Sequence, residues 1–399
     1  MNAPADTMGE PPRSPPIPDP RLQMVRNWTP FSHFDCDKMG PGRKFHDTIV
    51  VKGTFLLSEG VLERAREQSE VALADTYWDD GAPERSSLKH AGEVLLVKPT
   101  TDVIVTGTAR SPGGAPLPAW EASVVVRRGG QTVLGHRARV LGPRVFRHGA
   151  GGWTLSDPEP TNEVSIRYEL SYGGAYPAKL GDTPSAPAKP GDTPAASTEG
   201  APSDPATPPW VVHAPNPSGT GFFDEGALDP ARTYRAPQWE PEGHPLSEIN
   251  REILLAGFGP VARHWSSRLG YAGTYDDAWE REMRADSDKG LPADYARDFD
   301  PHFFQCGHPE LIAPSYLEGD EEIVLTGVMP AASPFVARLP GVRVVARLVD
   351  GKGGRHEERM VLDTVHVDVD AGAVHLCWRL TLDHGRDVHT ALITAGDPR

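Results

Sequence analysis

The stretch from Arg263 to Trp279 constrains the fold more than any other part of the chain. It places glycines among large aromatic rings within 17 residues: Trp265, Gly270, Tyr271, Gly273, Tyr275 and Trp279. Such a mixture suits no regular strand or helix, because glycine beside bulky rings indicates backbone turns held by ring burial. We expect Thr274 or Asp276 to cap a short helix that carries Trp279 and Met283 on one face. The stretch therefore predicts a specific fold element, and by itself it indicates no catalyst.

The composition indicates an acidic protein that works in a reducing compartment. The 399 residues suffice for one large domain or two to three smaller ones. The 40 basic and 55 acidic residues give a net charge of −15, which disfavours nucleic acid and favours a basic protein partner. Three distant cysteines (Cys36, Cys306 and Cys377) form no disulfide framework. Because no signal peptide or membrane-length apolar run is present, we expect a cytoplasmic protein with no membrane partner.

Changes in composition divide the chain into five segments. Residues 1–21 are rich in proline and predict a disordered tail. Two similar decapeptides, at 179–188 and 189–198, are rich in Pro, Ala, Thr and Gly, and they predict a flexible insertion over 179–209. The other segments are an N-terminal β-rich lobe (22–178), a mixed segment with the Trp/Tyr/Gly stretch (210–319) and a C-terminal β-rich lobe (320–399).

Runs of β-branched residues predict strands in both lobes. The predicted strands are Thr48–Leu57, Glu93–Val97, Asp102–Thr108, Ala122–Arg127, Gln131–Leu134, Arg139–Leu141, Glu322–Gly327 and Val342–Val349. Alternating apolar and polar residues from Val361 to Thr381 predict a hairpin with one buried face. A short helix is expected over Ser247–Ala256. The predicted fold class is mainly β, with sandwich-like sheets in two lobes joined by a mixed segment with short helices.

One segment holds four residues of the types that bind zinc. Asp300, His302, Cys306 and His308 lie within nine positions. Their spacing is not that of a structural zinc site, and the alternative is an irregular loop with a buried cysteine and polar histidines. The sequence leaves both interpretations open.

Two acidic residues of the Trp/Tyr/Gly region suggest an alternative function as a hydrolase, with carbohydrate as the candidate substrate. Asp276 and Asp298, near Trp265 and Trp279, could act as an acid–base pair. Geometry separates this alternative from a binding protein. Carboxylates about 5–10 Å apart in an aromatic cleft would favour an enzyme, whereas buried rings and acids bonded to backbone would favour a binding protein. No nucleophile elbow, P-loop or dinucleotide-binding glycine motif is present.

Several motifs occur in a fixed order over residues 24–396, outside the 179–209 insertion. They include Lys98-Pro99-x-x-Asp102, Tyr172-Gly173-Gly174, Asn216-Pro-Ser-Gly-Thr-Gly-Phe222, Gly273-Thr-Tyr275-Asp276 with Trp279, and Leu376-Cys-Trp-Arg379. This order resembles the effector adaptor family of bacterial type VI secretion systems, which is described as a domain of unknown function. Tyr172 replaces a Phe of the family pattern, and the Cys306-Gly-His308 loop and the repeat insertion depart from it.

The resemblance implies a cytoplasmic adaptor or chaperone. Such a protein binds a toxic effector and helps load it onto the VgrG spike protein, without enzymatic activity and without a cofactor. The motif residues would be structural or would contact a partner: Lys98, Pro99, Asp102, Gly173, Gly174, Tyr275, Asp276 and Trp279. Lys98 and Asp102 would form an ion pair at a strand end, and the two glycines would permit a tight turn. An effector segment would be buried by adding a strand to an open sheet edge.

Overall fold

The computed structural model describes residues 22–177, 210–249, 251–331 and 333–396. The predicted N-terminal tail and the predicted repeat insertion lie outside the described residues. Within those ranges the predicted mainly β fold is confirmed, with many short and long strands and two α-helices.

The first 16 strands lie before the insertion. They are β1 (Met24–Asn27), β2 (Ser32–Gly40), β3 (Lys44–Leu56), β4 (Gly60–Val61), β5 (Glu63–Arg64), β6 (Thr76–Tyr77), β7 (Leu88–His90), β8 (Asp102–Thr106), β9 (Thr108–Arg110), β10 (Ala119–Arg128), β11 (Gln131–Leu141), β12 (Val145–Gly149), β13 (Gly152–Leu155), β14 (Glu163–Ser165), β15 (Tyr172–Gly173) and β16 (Ala175–Pro177).

The remaining elements follow the insertion. They are β17 (Trp210–Val212), β18 (Thr220–Gly221), β19 (Tyr234–Arg235), β20 (Trp239–Pro241), α1 (Ser266–Leu269), α2 (Asp277–Ser287), β21 (Glu322–Thr326), β22 (Phe335–Arg338), β23 (Arg343–Asp350), β24 (Arg355–Arg359), β25 (Val361–Asp368), β26 (Ala373–Asp383) and β27 (Val388–Gly396). Short 3₁₀ turns cover Pro41–Arg43, Pro83–Arg85, Pro112–Gly114, Tyr168–Leu170, Glu225–Ala227, Pro301–Phe304 and Pro309–Leu311.

Three sheets build most of the fold, and each combines strands from both ends of the chain. The central sheet has the order β2-β3-β26-β25-β8, and β5 also pairs with β3. The second sheet has the order β20-β11-β10-β21-β22-β4, and the third has the order β1-β27-β23-β24. The β-rich segments at the two ends of the sequence therefore share their sheets.

The C-terminal hairpin of β25 and β26 fills the middle of the central sheet. β26 runs antiparallel to β3, from the pair Ala373–Leu56 to the pair Asp383–His46. β25 runs parallel to β8, which begins at Asp102. The hairpin therefore supplies partners to two N-terminal strands that do not pair with each other.

A shared hydrophobic core joins the three sheets. Val51 and Leu376 come from the central sheet, Val124 from the second sheet, and Ala346 and Ile393 from the third. All five side chains are fully buried. Because one apolar cluster contains side chains of all three sheets, burial in this cluster supplies the main driving force for folding.

The predicted strand over Glu93–Val97 is wrong. The segment has no strand partner, and its carbonyls accept hydrogen bonds from side chains of β26 instead. The Arg379 guanidinium donates to the carbonyls of Glu93 and Leu95, at 2.9 and 3.0 Å, and the Thr381 hydroxyl donates to the Leu96 carbonyl at 2.6 Å. Leu95 and Leu96 are buried, but side chains take the place of a neighbouring strand.

The predicted helix over Ser247–Ala256 is also wrong in the described residues, which exclude position 250. Residues 251–256 have no regular secondary structure. Ile253 is buried, whereas Leu254 is 72% exposed, an alternation typical of extended backbone. The Ser171 hydroxyl donates to the Ala256 carbonyl, so a contact from a distant segment anchors the end of this stretch. Tertiary contacts thus override a moderate helix propensity.

The predicted C-terminal hairpin is confirmed. The prediction that only one of its faces is buried is wrong. The pairing shifts register between Leu362 and Thr364. Five successive residues of β26, from Leu376 to Leu380, are buried. The face predicted to be polar and exposed is covered in this region by the Glu93–Val97 segment.

Replacing Leu376 with Ala is expected to destabilise the protein by about 2–5 kcal/mol, because it opens a cavity between sheets. Leu376 is fully buried in the middle of β26. The matched control is Leu56→Ala in β3, where the side chain is 49% exposed. Urea unfolding should show a change below about 1 kcal/mol for the control. Equal effects of the two substitutions would contradict the central position of β26.

Candidate functional site

The family-type motif Lys98–Asp102 forms a buried ion pair. Lys98 Nζ lies 2.8 Å from Asp102 Oδ2, and both side chains are less than 5% exposed. Lys98 also donates to Thr364 Oγ1 at 2.8 Å, and Asp102 Oδ2 accepts from the Cys306 backbone N–H at 2.8 Å. Burial opposes the charge of Lys98, but attraction to Asp102 outweighs it and raises the lysine pKa. The predicted ion pair is therefore present, and it joins β8, β25 and the loop at Cys306.

Two further buried ion pairs lie on the same face of the central sheet. Arg379 Nε lies 2.5 Å from Asp363 Oδ2, and Lys52 Nζ lies 2.8 Å from Glu93 Oε1. The sequence analysis missed both pairs. A usable signal was present, because Lys52 and Arg379 interrupt apolar strands, and a buried cation requires a partner.

A cleft of about 290 Å³ lies beside Lys52, Glu93 and Lys98 of these ion pairs. We call it the histidine cleft, because three imidazoles line it: His90, His366 and His375. The ring centroids of His366 and His375 are 5.6 Å apart, and those of His90 and His366 are 5.8 Å apart. The His366 ring contacts Thr106 Oγ1 at 2.7 Å. The cleft also contains three lysines and one glutamate (Lys52, Lys89, Lys98 and Glu93).

The titratable groups of the histidine cleft are mostly uncharged or paired. Burial lowers the pKa of all three histidines, and that of His375 falls to about 4, so the imidazoles are neutral at neutral pH. The nearby Cys306 thiol is a poor nucleophile, because burial raises its pKa to about 11. Two of its three lysines are neutralised by ion pairs, Lys52 with Glu93 and Lys98 with Asp102, so the cleft walls carry little net charge.

The Trp/Tyr/Gly stretch uses its acids to hold its own backbone. Asp276 caps α2 and accepts from the backbone N–H groups of Ala278 and Trp279, at 3.0 and 2.9 Å. Asp298 accepts from the N–H and the hydroxyl of Thr274, both at 2.8 Å. The hydrogen bond from the Thr274 N–H lowers the Asp298 pKa. Since a general acid needs a raised pKa, Asp298 is unsuited to that role.

The aromatic residues of this stretch divide into buried and exposed groups. Trp265 is fully buried and packs edge-to-face on Tyr168, with ring centroids 5.2 Å apart. Trp279 and Tyr275 pack against each other at 4.7 Å, and Tyr275 is 51% exposed. The predicted helix that carries Trp279 and Met283 is confirmed as α2, with Asp276 as its cap.

Gly173 and Gly174 permit a close backbone crossing. Both have positive φ, at 150° and 121°. A Cβ at Gly173 would lie 2.1 Å from the Asn216 carbonyl oxygen. The Asn216 side chain donates to the carbonyls of Tyr168 and Tyr172, at 2.9 and 3.0 Å. The two glycines and the Asn216 motif therefore form one structural unit, consistent with the tight turn expected from the sequence.

The zinc-type residues between 300 and 308 do not converge. Asp300 and His302 form an exposed pair at 2.6 Å. Cys306 faces Asp102, with Sγ 3.5 Å from Oδ2. His308 instead stacks on His136, with ring centroids 3.9 Å apart. Sequence reasoning missed His136, although it interrupts an apolar alternation in β11.

β2 forms the longest edge among the three large sheets. Its nine residues pair with β3 on one side, and no strand in the described ranges pairs with its other side. Asp35 and Asp37 are exposed on this strand. Cys36 between them is half-buried, whereas Cys306 and Cys377 are buried. Such an edge has free backbone donors and acceptors for another strand.

Comparison with protein families identifies the class of this chain. Residues 42–379 match the model of a family described as an uncharacterized protein conserved in bacteria (DUF2169), and the chain belongs to that family. Comparisons with curated proteins and with solved structures found no match. In the described part of the chain, no helix has the length and apolar character needed to cross a membrane.

Replacing Asp102 with Asn is expected to destabilise the protein by about 3–5 kcal/mol, because Lys98 would remain charged and buried without its partner. The double variant Lys98→Met with Asp102→Leu should recover part of this loss. The control Arg347→Met removes an exposed ion pair to Glu357 and should cost below about 1 kcal/mol. Urea unfolding curves measure all three. If the double variant is as unstable as Asp102→Asn, the unpaired charge of Lys98 is not the cause of the destabilisation.

Stability is expected to fall as the pH decreases from about 6.5 to about 4, because the unfolded chain then binds a proton that folded His375 excludes. His375 is held neutral by burial and by Lys52, against the opposing effects of Glu93 and Asp368. His375→Gln should therefore show a shallower loss of stability between pH 7 and pH 5 in urea unfolding. The control His148→Gln changes an exposed histidine and should retain the original slope.

Proposed function

We propose that this protein is a cytoplasmic adaptor that binds a toxic effector and helps load it onto the VgrG spike of a type VI secretion system. The order of motifs supports this proposal, because it resembles the adaptor family. The structural observation that carries it is the open edge of β2. In this proposal the protein acts by binding its partners, and the binding itself requires no cofactor.

The proposed occupant of the β2 edge is an extended, positively charged effector segment. Nine residues of edge strand can hydrogen-bond such a segment through the backbone, as in other cases of strand addition. The exposed carboxylates of Asp35 and Asp37 would attract basic side chains. The net charge of −15 acts in the same direction at longer range. Other exposed edges are less suitable, since β1 and β24 have only four and five residues.

The hydrolase alternative loses support from the two acids on which it depended. Asp276 and Asp298 hold backbone N–H groups, and the ring of Trp265 is fully buried. These are the features expected of a binding protein rather than of a glycosidase cleft. No second function is therefore proposed.

Affinity capture of the full-length tagged protein from its native bacterium is expected to recover a VgrG-type spike and one toxin-like protein. Mass spectrometry identifies both partners. The variant Asp35→Lys with Asp37→Lys should reduce toxin recovery at least severalfold, because it reverses the charge beside the edge. The control Glu121→Lys with Glu163→Lys reverses two exposed charges on β10 and β14.

The outcomes separate the adaptor proposal from the docking edge. Recovery of neither partner from cells that express the secretion system would overturn the adaptor function. Recovery that is equal for wild type and the Asp35/Asp37 variant would leave the adaptor function standing and exclude the charged β2 edge.

Cys36 provides a direct probe of the edge. Its alkylation by N-ethylmaleimide should slow severalfold when the captured toxin is bound, because a strand added to β2 covers its neighbourhood. Burial raises the Cys36 pKa, so the reaction is best followed at mildly alkaline pH. The buried thiols of Cys306 and Cys377 serve as internal controls for unfolding. An unchanged rate at Cys36 would place the toxin elsewhere.

A further inference from the structure

One histidine occupies a core position of the second sheet. Along β11 the inward-facing row consists of Leu134, His136, Ala138 and Val140, all less than 9% exposed. His136 Nε2 has no hydrogen-bond partner within the described ranges. An unsatisfied buried polar atom costs about 1–3 kcal/mol, so an aliphatic residue would serve packing better. Packing alone therefore does not explain a histidine at this position.

Two other potential ligands meet His136 at this position. His308 stacks on it at 3.9 Å, with 18° between the ring planes. Glu310, two residues further along the chain, directs its Oε2 atom to His136 Nδ1 in a short contact. One ligand atom from each of the three residues lies within 4.8 Å of the other two. This trio is the one such group of three found in the described part of the chain.

We propose that His136, His308 and Glu310 form a binding site for a divalent transition-metal ion, with Zn²⁺ as the best match. Two imidazole nitrogens and one carboxylate oxygen are an established zinc ligand set, with a fourth position left for water. Burial lowers the pKa of both histidines, to about 4 for His136 and about 3 for His308. Both rings are thus neutral at neutral pH, as metal binding requires.

An ion at this position would require two side chains to move. The Glu310 side chain is 63% exposed and is free to withdraw from His136, since a nitrogen and an oxygen bound to one zinc ion lie about 3 Å apart or more. His308 accepts from the Glu310 N–H at 3.2 Å and contacts the Leu255 carbonyl at 3.3 Å. Its ring is buried and stacked on His136, so sharing an ion requires it to rotate and give up that stack.

The consequence of metal binding would be structural. His136 belongs to a strand of the second sheet, whereas His308 and Glu310 belong to the loop that continues from Cys306. The same loop is bonded to Asp102 of the central sheet through the Cys306 N–H. A bound ion would therefore link two sheets through a loop that otherwise depends on hydrogen bonds and packing.

The test uses the full-length, untagged protein after removal of metal with EDTA and dialysis. Titration with ZnCl₂ against a chromophoric chelator should show one strongly bound ion per chain. Addition of Zn²⁺ should also raise the thermal unfolding midpoint. Co²⁺ in place of Zn²⁺ should give the visible absorption of a four-coordinate site.

Variants assign the bound ion to these residues. Glu310→Gln changes an exposed side chain, so it should fold normally and weaken zinc binding at least tenfold. His136→Leu suits the apolar row of β11 and should abolish binding, while circular dichroism checks its fold. The control Asp300→Asn with His302→Ala removes the exposed acid–histidine pair in the same segment and should leave binding unchanged.

Several outcomes would overturn the proposal. The first is no zinc binding by the wild-type protein at micromolar concentration. The second is binding that survives in both Glu310→Gln and His136→Leu. The third is binding that is lost in the Asp300/His302 control, which would assign the ion to the exposed pair.

Discussion

The antiparallel ladder between β26 and β3 is the interaction on which the rest of the structure depends. It extends over eleven residue pairs and brings the end of the chain into the middle of the central sheet. β8 in turn pairs with β25, so it gains its place in the sheet only when the C-terminal hairpin is in position. These contacts span more than 250 residues, so their loop-closure entropy must be offset by burial in the shared core.

Buried charged side chains bond backbone groups that have no partner in a neighbouring strand. Arg379 neutralises Asp363 and also holds the Glu93–Val97 segment through backbone carbonyls. Lys98 and Asp102 perform a similar role between β8, β25 and the Cys306 loop. Such groups are costly to bury, and they are stable only because each has both an ionic partner and further hydrogen bonds. These contacts fix the positions of the Glu93–Val97 segment and the Cys306 loop on the central sheet.

The proposed functions use different parts of this framework. The β2 edge is open because β3 pairs with only one of its sides in the described residues, and its exposed acids suit a basic partner. The His136–His308–Glu310 group lies instead between a buried strand and a loop, where an ion would strengthen the framework itself. The Trp/Tyr/Gly stretch serves the fold, since Asp276 and Asp298 fix its turns.

The sequence by itself determined the mainly β character, most long strands and the α2 cap, because these depend on local periodicity and short spacing. The Lys98–Asp102 pair was expected from the resemblance of the motif order to the adaptor family. Only the tertiary structure decided which strands pair, since pairing joins residues far apart in the chain. It also decided that Glu93–Val97 and the described part of Ser247–Ala256 are irregular, and in both segments side chains from distant parts of the chain donate to backbone carbonyls. The grouping of His136 with His308 has the same origin: 172 positions separate two rings that the fold stacks at 3.9 Å.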